Sequence, residues 1–195
     1  MTRKMSQNNR VVFETKRIAV RLATVEDIEI FYRLWTDPQI MSNVGYPNGL
    51  LITREDIKCQ ISEGGISEFQ QLLIVAIKST GQTIGECKLH WPDRDGIATT
   101  DVKLLPEFWG NKYVVEVKHG LLDYLFTHTE CLAVDASPNV GNIASIKMQD
   151  AVGGVCVGES IYEFPESKRE YTTPVHHYIY RVSRENWQKQ HEQIA

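Results

Sequence analysis

The sequence has no CxxC pair, no apolar run of membrane-spanning length, no internal repeat and no strong excess of one charge. Each absence removes a class of protein. Its four cysteines, Cys59, Cys87, Cys131 and Cys156, are far apart, which argues against a zinc cage or a disulfide framework. Cys131 and Cys156 stand in apolar runs and read as buried small hydrophobes. No stretch approaches the roughly 20 apolar residues that cross a bilayer. Residues 1–10 are polar and basic, without the apolar segment of a signal peptide, and read as a disordered tail. A cytoplasmic location and no membrane partner are expected. A net charge of −4 offers no overall basic footprint for nucleic acid. No G-x-G-x-x-G follows an early strand, and the chain opens β–α–α, which disfavours a Rossmann-type nucleotide domain.

What is present is an ordinary globular balance: 195 residues, 42% hydrophobic and 24% charged. That length can bury a proper core. Residues 11–183 read as a single domain, and residues 184–195 as a charged C-terminal tail forming a frayed helix. Alternation over residues 11–22 predicts one strand, with Ile18, Val20 and Leu22 facing the same way. Thr24 with Asp27, and Thr53 with Asp56, resemble capping boxes that open two helices. Pro38 ends the first and Gly64-Gly65 the second. Strands are predicted over 71–78 and 83–90, joined by a tight turn as an antiparallel hairpin, then over 97–105. The best helix follows residues 106–112, with Val114, Val117, Leu121, Leu122 and Leu125 on one face. A short strand (132–136), a helix (142–151) and a closing strand pair (155–161 and 176–182) complete the chain. Strand–helix alternation in the second half predicts parallel pairing there, and the hairpins require antiparallel pairing elsewhere. The fold class is α/β (α+β), a mixed sheet with helices on both faces.

Chemistry concentrates where the strand ending at Leu104 and Leu105 runs through a loop into the long helix. The first turn of a helix has unpaired N–H groups and the positive end of the dipole, which is a ready anion site. Gly110 allows close backbone approach and Lys112 adds a positive charge. An ordinary turn is the competing reading.

Several local words, in this order, resemble the GNAT superfamily of acyl-CoA N-acyltransferases, and within it the branch that includes the ribosomal-protein N-terminal acetyltransferases. Thr15-Lys16-Arg17-Ile18 resembles its Thr-Glu-Arg-Leu, and Asp37-Pro38-Gln39-Ile40-Met41 its Asp-Pro-Glu-Val-Met. Residues 104–116 resemble its Leu-Leu-Pro-Glu-Tyr-Trp-Gly-Lys-Gly-Tyr-Ala-Thr-Glu. Asn142, Ser145 and Gly153 resemble its Asn-x-x-Ser…Gly-Phe. The resemblance implies a mixed, mostly antiparallel twisted sheet and an acetyl-CoA-dependent N-acetyltransferase. It implies that Leu104 and Leu105 pair with the pantetheine arm through their backbone. It also implies that Trp109, Gly110, Asn111, Lys112, Tyr113, Val114 and Val115 form the pyrophosphate loop. Asn142 would hydrogen-bond the pantetheine, and Ser145 would protonate the departing thiolate. The competing readings are a plain helix N-cap for Asn142 and a solvated hydroxyl for Ser145. Lys112 and Val114 stand where the family has small residues, and Gly154 where it has Phe.

A general base is sought among carboxylates and imidazoles. The family's acidic position matches Thr99, so Asp101, two residues on and on the same face, is the candidate catalytic base. An edge-strand charge facing solvent is its alternative. Glu86, His90, His176 and His177 are further candidates, with residues 171–176 as a polar lining for an acceptor. Gln149 stands near the place where other members carry a Tyr acid. No metal is expected. The expected partners are acetyl-CoA and an amine, which is a small molecule or a protein N-terminus, and the chain is read as a monomer or homodimer. The alternative function is a catalytically weak or inactive GNAT-fold module that binds a ligand or partner.

Overall fold

The computed structural model describes residues 10–63, 67–69 and 71–192, the last two by backbone alone. Residues 1–9, the Gly64-Gly65 helix stop and residues 193–195 lie outside the described residues.

The alternation over 11–22 resolves into two strands, β1 (Val11–Glu14) and β2 (Ile18–Leu22), paired antiparallel. A single strand was expected because apolar alternation passes through the turn unbroken. Thr15 makes the reversal: its N–H donates to the Ile18 carbonyl at 2.8 Å. Both capping boxes form. Thr24 and Asp27 cap a 3₁₀ turn that leads into α1 (Ile28–Thr36), and Thr53 and Asp56 cap α3 (Arg54–Ser62). Between them Asp37 caps α2 (Pro38–Met41), with Pro38 in the first turn, where it needs no N–H partner.

β3 (Leu73–Ile77) and β4 (Thr83–Leu89) form the predicted hairpin, and β5 (Ile97–Leu104) adds antiparallel to β4. Then come α4 (Tyr113–His128), β6 (Ala133–Ala136), α5 (Ile143–Ala151), β7 (Val155–Tyr162), β8 (Val175–Ser183) and α6 (Arg184–Glu192). Eight strands make one sheet in the order β1-β2-β3-β4-β5-β6-β8-β7. Among the described residues only β5 and β6 pair in parallel, joined through α4. The parallel pairing expected of the second half is therefore confined to one pair, because β6 and β7 both take β8 as antiparallel partner.

Two cores cover the two faces. Val117, Leu121, Leu122 and Leu125 of α4 pack on Ile18, Val75, Cys87, Leu89 and Val134. Phe31, Leu34 and Trp35 of α1, with Ile40 of α2 and Ile57 of α3, pack around Ile74 and Leu105 on the opposite face. Edge strand β7 is open along nearly its whole length, so Cys156 is exposed rather than buried, although its neighbours are apolar. Cys131 is buried as expected. α6 is anchored by Arg184, which donates to the carbonyls of Phe126, Thr129 and Cys131, each within 2.7 Å. No described helix is long and apolar enough to cross a membrane.

Candidate active site

β5 and β6 run together for three residue pairs, Ile97–Ala133, Ala98–Val134 and Thr99–Asp135, and then part. β5 continues beside β4 as far as Leu104. Past Ala136 the other branch meets Pro138, which has no N–H to give a ladder, and it stays with β8. The Pro138 carbonyl accepts from the Tyr178 N–H, and Asn139 bridges to His177. The result is a wedge in the middle of the sheet, opening into a cleft of about 360 Å³.

The exposed edge of β5 in this wedge can be assigned. The His90 N–H donates to the Thr99 carbonyl and the Leu105 N–H donates to the Ile84 carbonyl, both toward β4. Backbone direction alternates along an antiparallel ladder, so the N–H and C=O of Thr100 and Val102 face the wedge, with those of Leu104. The Leu104 carbonyl is engaged there by Trp109 Nε1 at 2.8 Å. Leu105 is turned to the other core, and its N–H is committed to Ile84.

α4 begins at the mouth of the cleft. Lys112 precedes it at φ 60°, ψ 14°, the only non-glycine at positive φ among the described residues. The backbone thus keeps the left-handed turn that glycine favours while carrying a lysine, at a cost of about 1–2 kcal/mol. Gly110 also has a positive φ, 79°, and nothing lies within 4 Å of where its Cβ would be. Its role is conformational rather than a matter of space. No side chain caps α4, and its first intrahelical bond runs from the Glu116 N–H to the Lys112 carbonyl. The amides of Tyr113, Val114 and Val115 are left without intrahelical acceptors. Asn111 Nδ2 closes the loop by donating to the Phe108 and Trp109 carbonyls.

Of the residues singled out from the sequence, Asp101, Leu104, Trp109, Gly110, Lys112, Tyr113, Val114, Asn142 and Ser145 line the cleft. Leu105, Asn111 and Val115 do not, and Val115 and Lys112 border a second, shallower groove along the outside of α4. Asn142 caps α5, its Oδ1 accepting from the Ser145 N–H at 3.1 Å. The cap and the lining role coexist, because the cap uses only the oxygen and leaves Nδ2 as the group a ligand could engage. Gly154, where the family carries Phe, stands where an added Cβ would come 2.9 Å from the Gln149 carbonyl, and Gln149 lines the cleft.

Among the candidate bases only Asp101 borders the cleft. It is half-exposed and paired with Lys103. Burial alone would raise its carboxyl, but Lys103 outweighs that and holds it below the ordinary value. Lys103 is driven the other way, since Asp101 and Glu86 outweigh its burial and keep it charged. Glu86 lies beneath, 1% exposed, with Oε1 accepting from Trp35 Nε1 at 2.6 Å and lying 3.5 Å from Lys103. Its Oε2 has no hydrogen-bond partner among the described residues. His90 is lowered by burial, with Lys88 adding to the shift and Asp101 opposing it. His176 is exposed and faces Glu159, and His177 Nδ1 lies 3.2 Å from the Val175 carbonyl. No group of described residues is arranged to hold a metal ion.

The cleft also contains residues not anticipated from the sequence. Gln39, Ile40, Asn43 and Val44 form the wall opposite α4, and Lys103 and Lys118 bring two further cations. Lys118 was legible in principle. It falls four residues after Val114 and three before Leu121, squarely on the apolar stripe of its helix.

Comparison with known proteins follows this geometry. Residues 17–155 match the family described as Acetyltransferase (GNAT) domain. An uncharacterized N-acetyltransferase, p20, of Bacillus licheniformis is 24% identical over 140 residues, 71% of this chain and 79% of that protein. The spermidine N-acetyltransferase of Vibrio cholerae, solved in complex with CoA and spermine, superposes with TM-score 0.73 at 16% identity, covering 89% of this chain and 99% of that one. An aminoglycoside acetyltransferase solved with coenzyme A and kanamycin superposes with TM-score 0.68 at 15% identity, covering 89% and 99%. The family match spans more than half of the sequence, and the chain belongs to the GNAT acetyltransferase family.

Proposed function

We propose that this protein transfers the acetyl group of acetyl-CoA directly to an amine. The observation that carries the reading is the wedge between β5 and β6 with the free amides of α4 at its mouth. An extended pantetheine arm can pair with the Thr100 and Val102 edge as a strand pairs with a strand. The pyrophosphate then meets the amides of Tyr113, Val114 and Val115, where dipole and N–H groups favour an anion, with Lys112 as a point charge beside them. Asn142 Nδ2 is the donor for an arm carbonyl. Lys112 does not count against cofactor binding, because the backbone retains the conformation a glycine would give. Membership of the acetyltransferase family favours an enzyme over a binding module.

The acceptor enters from the α2 side, past Gln39 and Asn43. Asp101 stays ionised at neutral pH and receives the incoming ammonium. Because its carboxyl is held low, it is a weak base, and the proton leaves through water rather than residing on Asp101. Ser145, in the first turn of α5, lines the same cleft and is the hydroxyl there for the thioester. The words shared with the ribosomal-protein branch favour a protein N-terminal amine. The structural neighbours solved with spermine or kanamycin make cationic small amines the other class to assay. The test is CoA thiol release from acetyl-CoA against N-terminal peptides, spermine, spermidine and kanamycin, with melting temperature followed in CoA. Amine-dependent release supports transfer. A CoA-induced rise in melting temperature with no release from any amine would support the module instead.

A further inference from the structure

Lys118 is a buried cation on the lining of the cleft. It is 1% exposed, and its Nζ donates to Thr100 Oγ1. Thr100 is the first β5 residue beyond the last pair with β6, so this contact marks the apex of the wedge. Ala136, Ser145, Met148 and Gln149 line the same cleft as Lys118. A buried ammonium normally has a carboxylate partner. Among the described residues its one hydrogen bond is to a neutral hydroxyl, and Asp101 and Asp135 act on Lys118 at longer range without an ion pair. The cation is therefore underneutralised and bordered by a cleft, an arrangement that favours an anion arriving there.

We propose that the Lys118 ammonium, anchored by Thr100 at the apex of the wedge, meets the sulfur of bound acetyl-CoA and gives its proton to the departing CoA thiolate. This rests on the acetyl-CoA reading above. The acceptor nitrogen forms its bond to the acetyl carbon and the carbon–sulfur bond breaks. The sulfur keeps that electron pair and takes a proton from Lys118. The nitrogen, which arrives as an ammonium, loses one proton to water at the Asp101 side before it attacks and a second as the amide forms, and solvent returns one to Lys118. Atoms and charge balance without a further reagent. Burial brings the Lys118 amine down to about 8, with Asp101 and Asp135 opposing the shift, so its acidity approaches that of a thiol. Thr100 on β5 is the neutral group it donates to, and Ser145 and Gln149 on α5 line the same cleft. Ser145, as a neutral hydroxyl, is the weaker acid of the two and orients rather than protonates.

The test reads the thiol directly and needs no acceptor. CoA bound to the protein is titrated by its thiolate ultraviolet absorbance over about pH 7 to 10, the range in which thiols ionise. Bound to the wild-type protein, the CoA thiol should be about tenfold more acidic than free CoA. In Lys118→Met the shift should vanish while CoA still binds. A purely structural lysine would leave the titration unchanged, so identical curves for the two CoA-bound proteins would overturn the proposal and leave the acetyl-CoA reading standing. Absence of CoA binding to the wild-type protein would overturn both. If Lys118→Met does not fold, Lys118→Gln carries the same comparison.

Discussion

Arg17 Nε donates to Glu116 Oε2 at 2.6 Å, which pins the turn between β1 and β2 onto the first turn of α4. Glu116 Oε1 also accepts from the Arg17 N–H and from Thr15 Oγ1, both at 2.6 Å, and an Arg17 guanidinium nitrogen reaches the Asn111 carbonyl. The guanidinium stacks over Tyr113, 4.5 Å from the ring centre. Two sequence words 99 residues apart are thus one structural unit that sets the pitch of the α4 start. Arg17 is substantially exposed, which discounts the ion pair itself, but the hydrogen bonds to Thr15 and the Arg17 backbone persist. Glu116→Gln should therefore cost about 1–2 kcal/mol in chemical denaturation. A neutral outcome would mean that the carboxylate does not hold the hairpin to the helix.

Lys112 predicts a pattern rather than a single value. In Lys112→Gly, relief of about 1 kcal/mol of left-handed strain opposes about 0.5–1 kcal/mol of added unfolded-chain entropy. Stability should stay within about 0.5 kcal/mol of the wild type by that difference. Lys112→Val, β-branched in the same conformation, should lose about 2 kcal/mol. Equal melting of all three proteins would contradict the left-handed geometry.

Asn142 separates a cap from a ligand donor. Asn142→Ala should lose about 1 kcal/mol with the α5 cap. Asn142→Asp keeps an oxygen for the Ser145 N–H and should remain near wild-type stability, while losing the Nδ2 donor. Calorimetry with CoA should then show weaker binding in Asn142→Asp despite intact melting. Unchanged affinity would confine Asn142 to capping.

Lys118 gives a pH dependence whose sign can be worked out. In the folded chain its amine loses a proton near pH 8, below the ordinary lysine value. Between those values the unfolded chain binds more protons, so stability rises with pH across the interval. The cost of burying the charged form is fully present below about pH 8, at about 3 kcal/mol from the displacement to about 8. Lys118→Met should accordingly be more stable than the wild type at pH 7, and the gain should shrink toward pH 10. A gain independent of pH, read from denaturant midpoints, would mean that Lys118 does not titrate in this window.

Local signals were well written in the sequence. Thr24 with Asp27, Thr53 with Asp56, and Asn142 each announce a helix start through chemistry within three or four residues, and each forms. Signals that depend on a partner were not legible. The break between β1 and β2 is invisible because alternation continues through Thr15 and Arg17, whose real partner is Glu116. Cys156 looks buried until β7 proves to be an edge strand. The point where β5 and β6 part is a matter of register, fixed by Pro138 and its hold on β8. Asp101 is legible from its face on a strand, but its pairing with Lys103, which holds its carboxyl below the ordinary value, is not. Lys118 interrupts an apolar stripe, and only the fold reveals that the interruption lies at the apex of the wedge.

Amide-resolved NMR during a CoA titration tests the central claim most directly. CoA seated in the wedge should give the largest shifts at the amides of residues 110–115 and at Thr100 and Val102, the two sides of the wedge. No shift at about millimolar CoA, the weakest affinity on the useful scale, or shifts confined to the outer groove around His119 and Thr127, would contradict it.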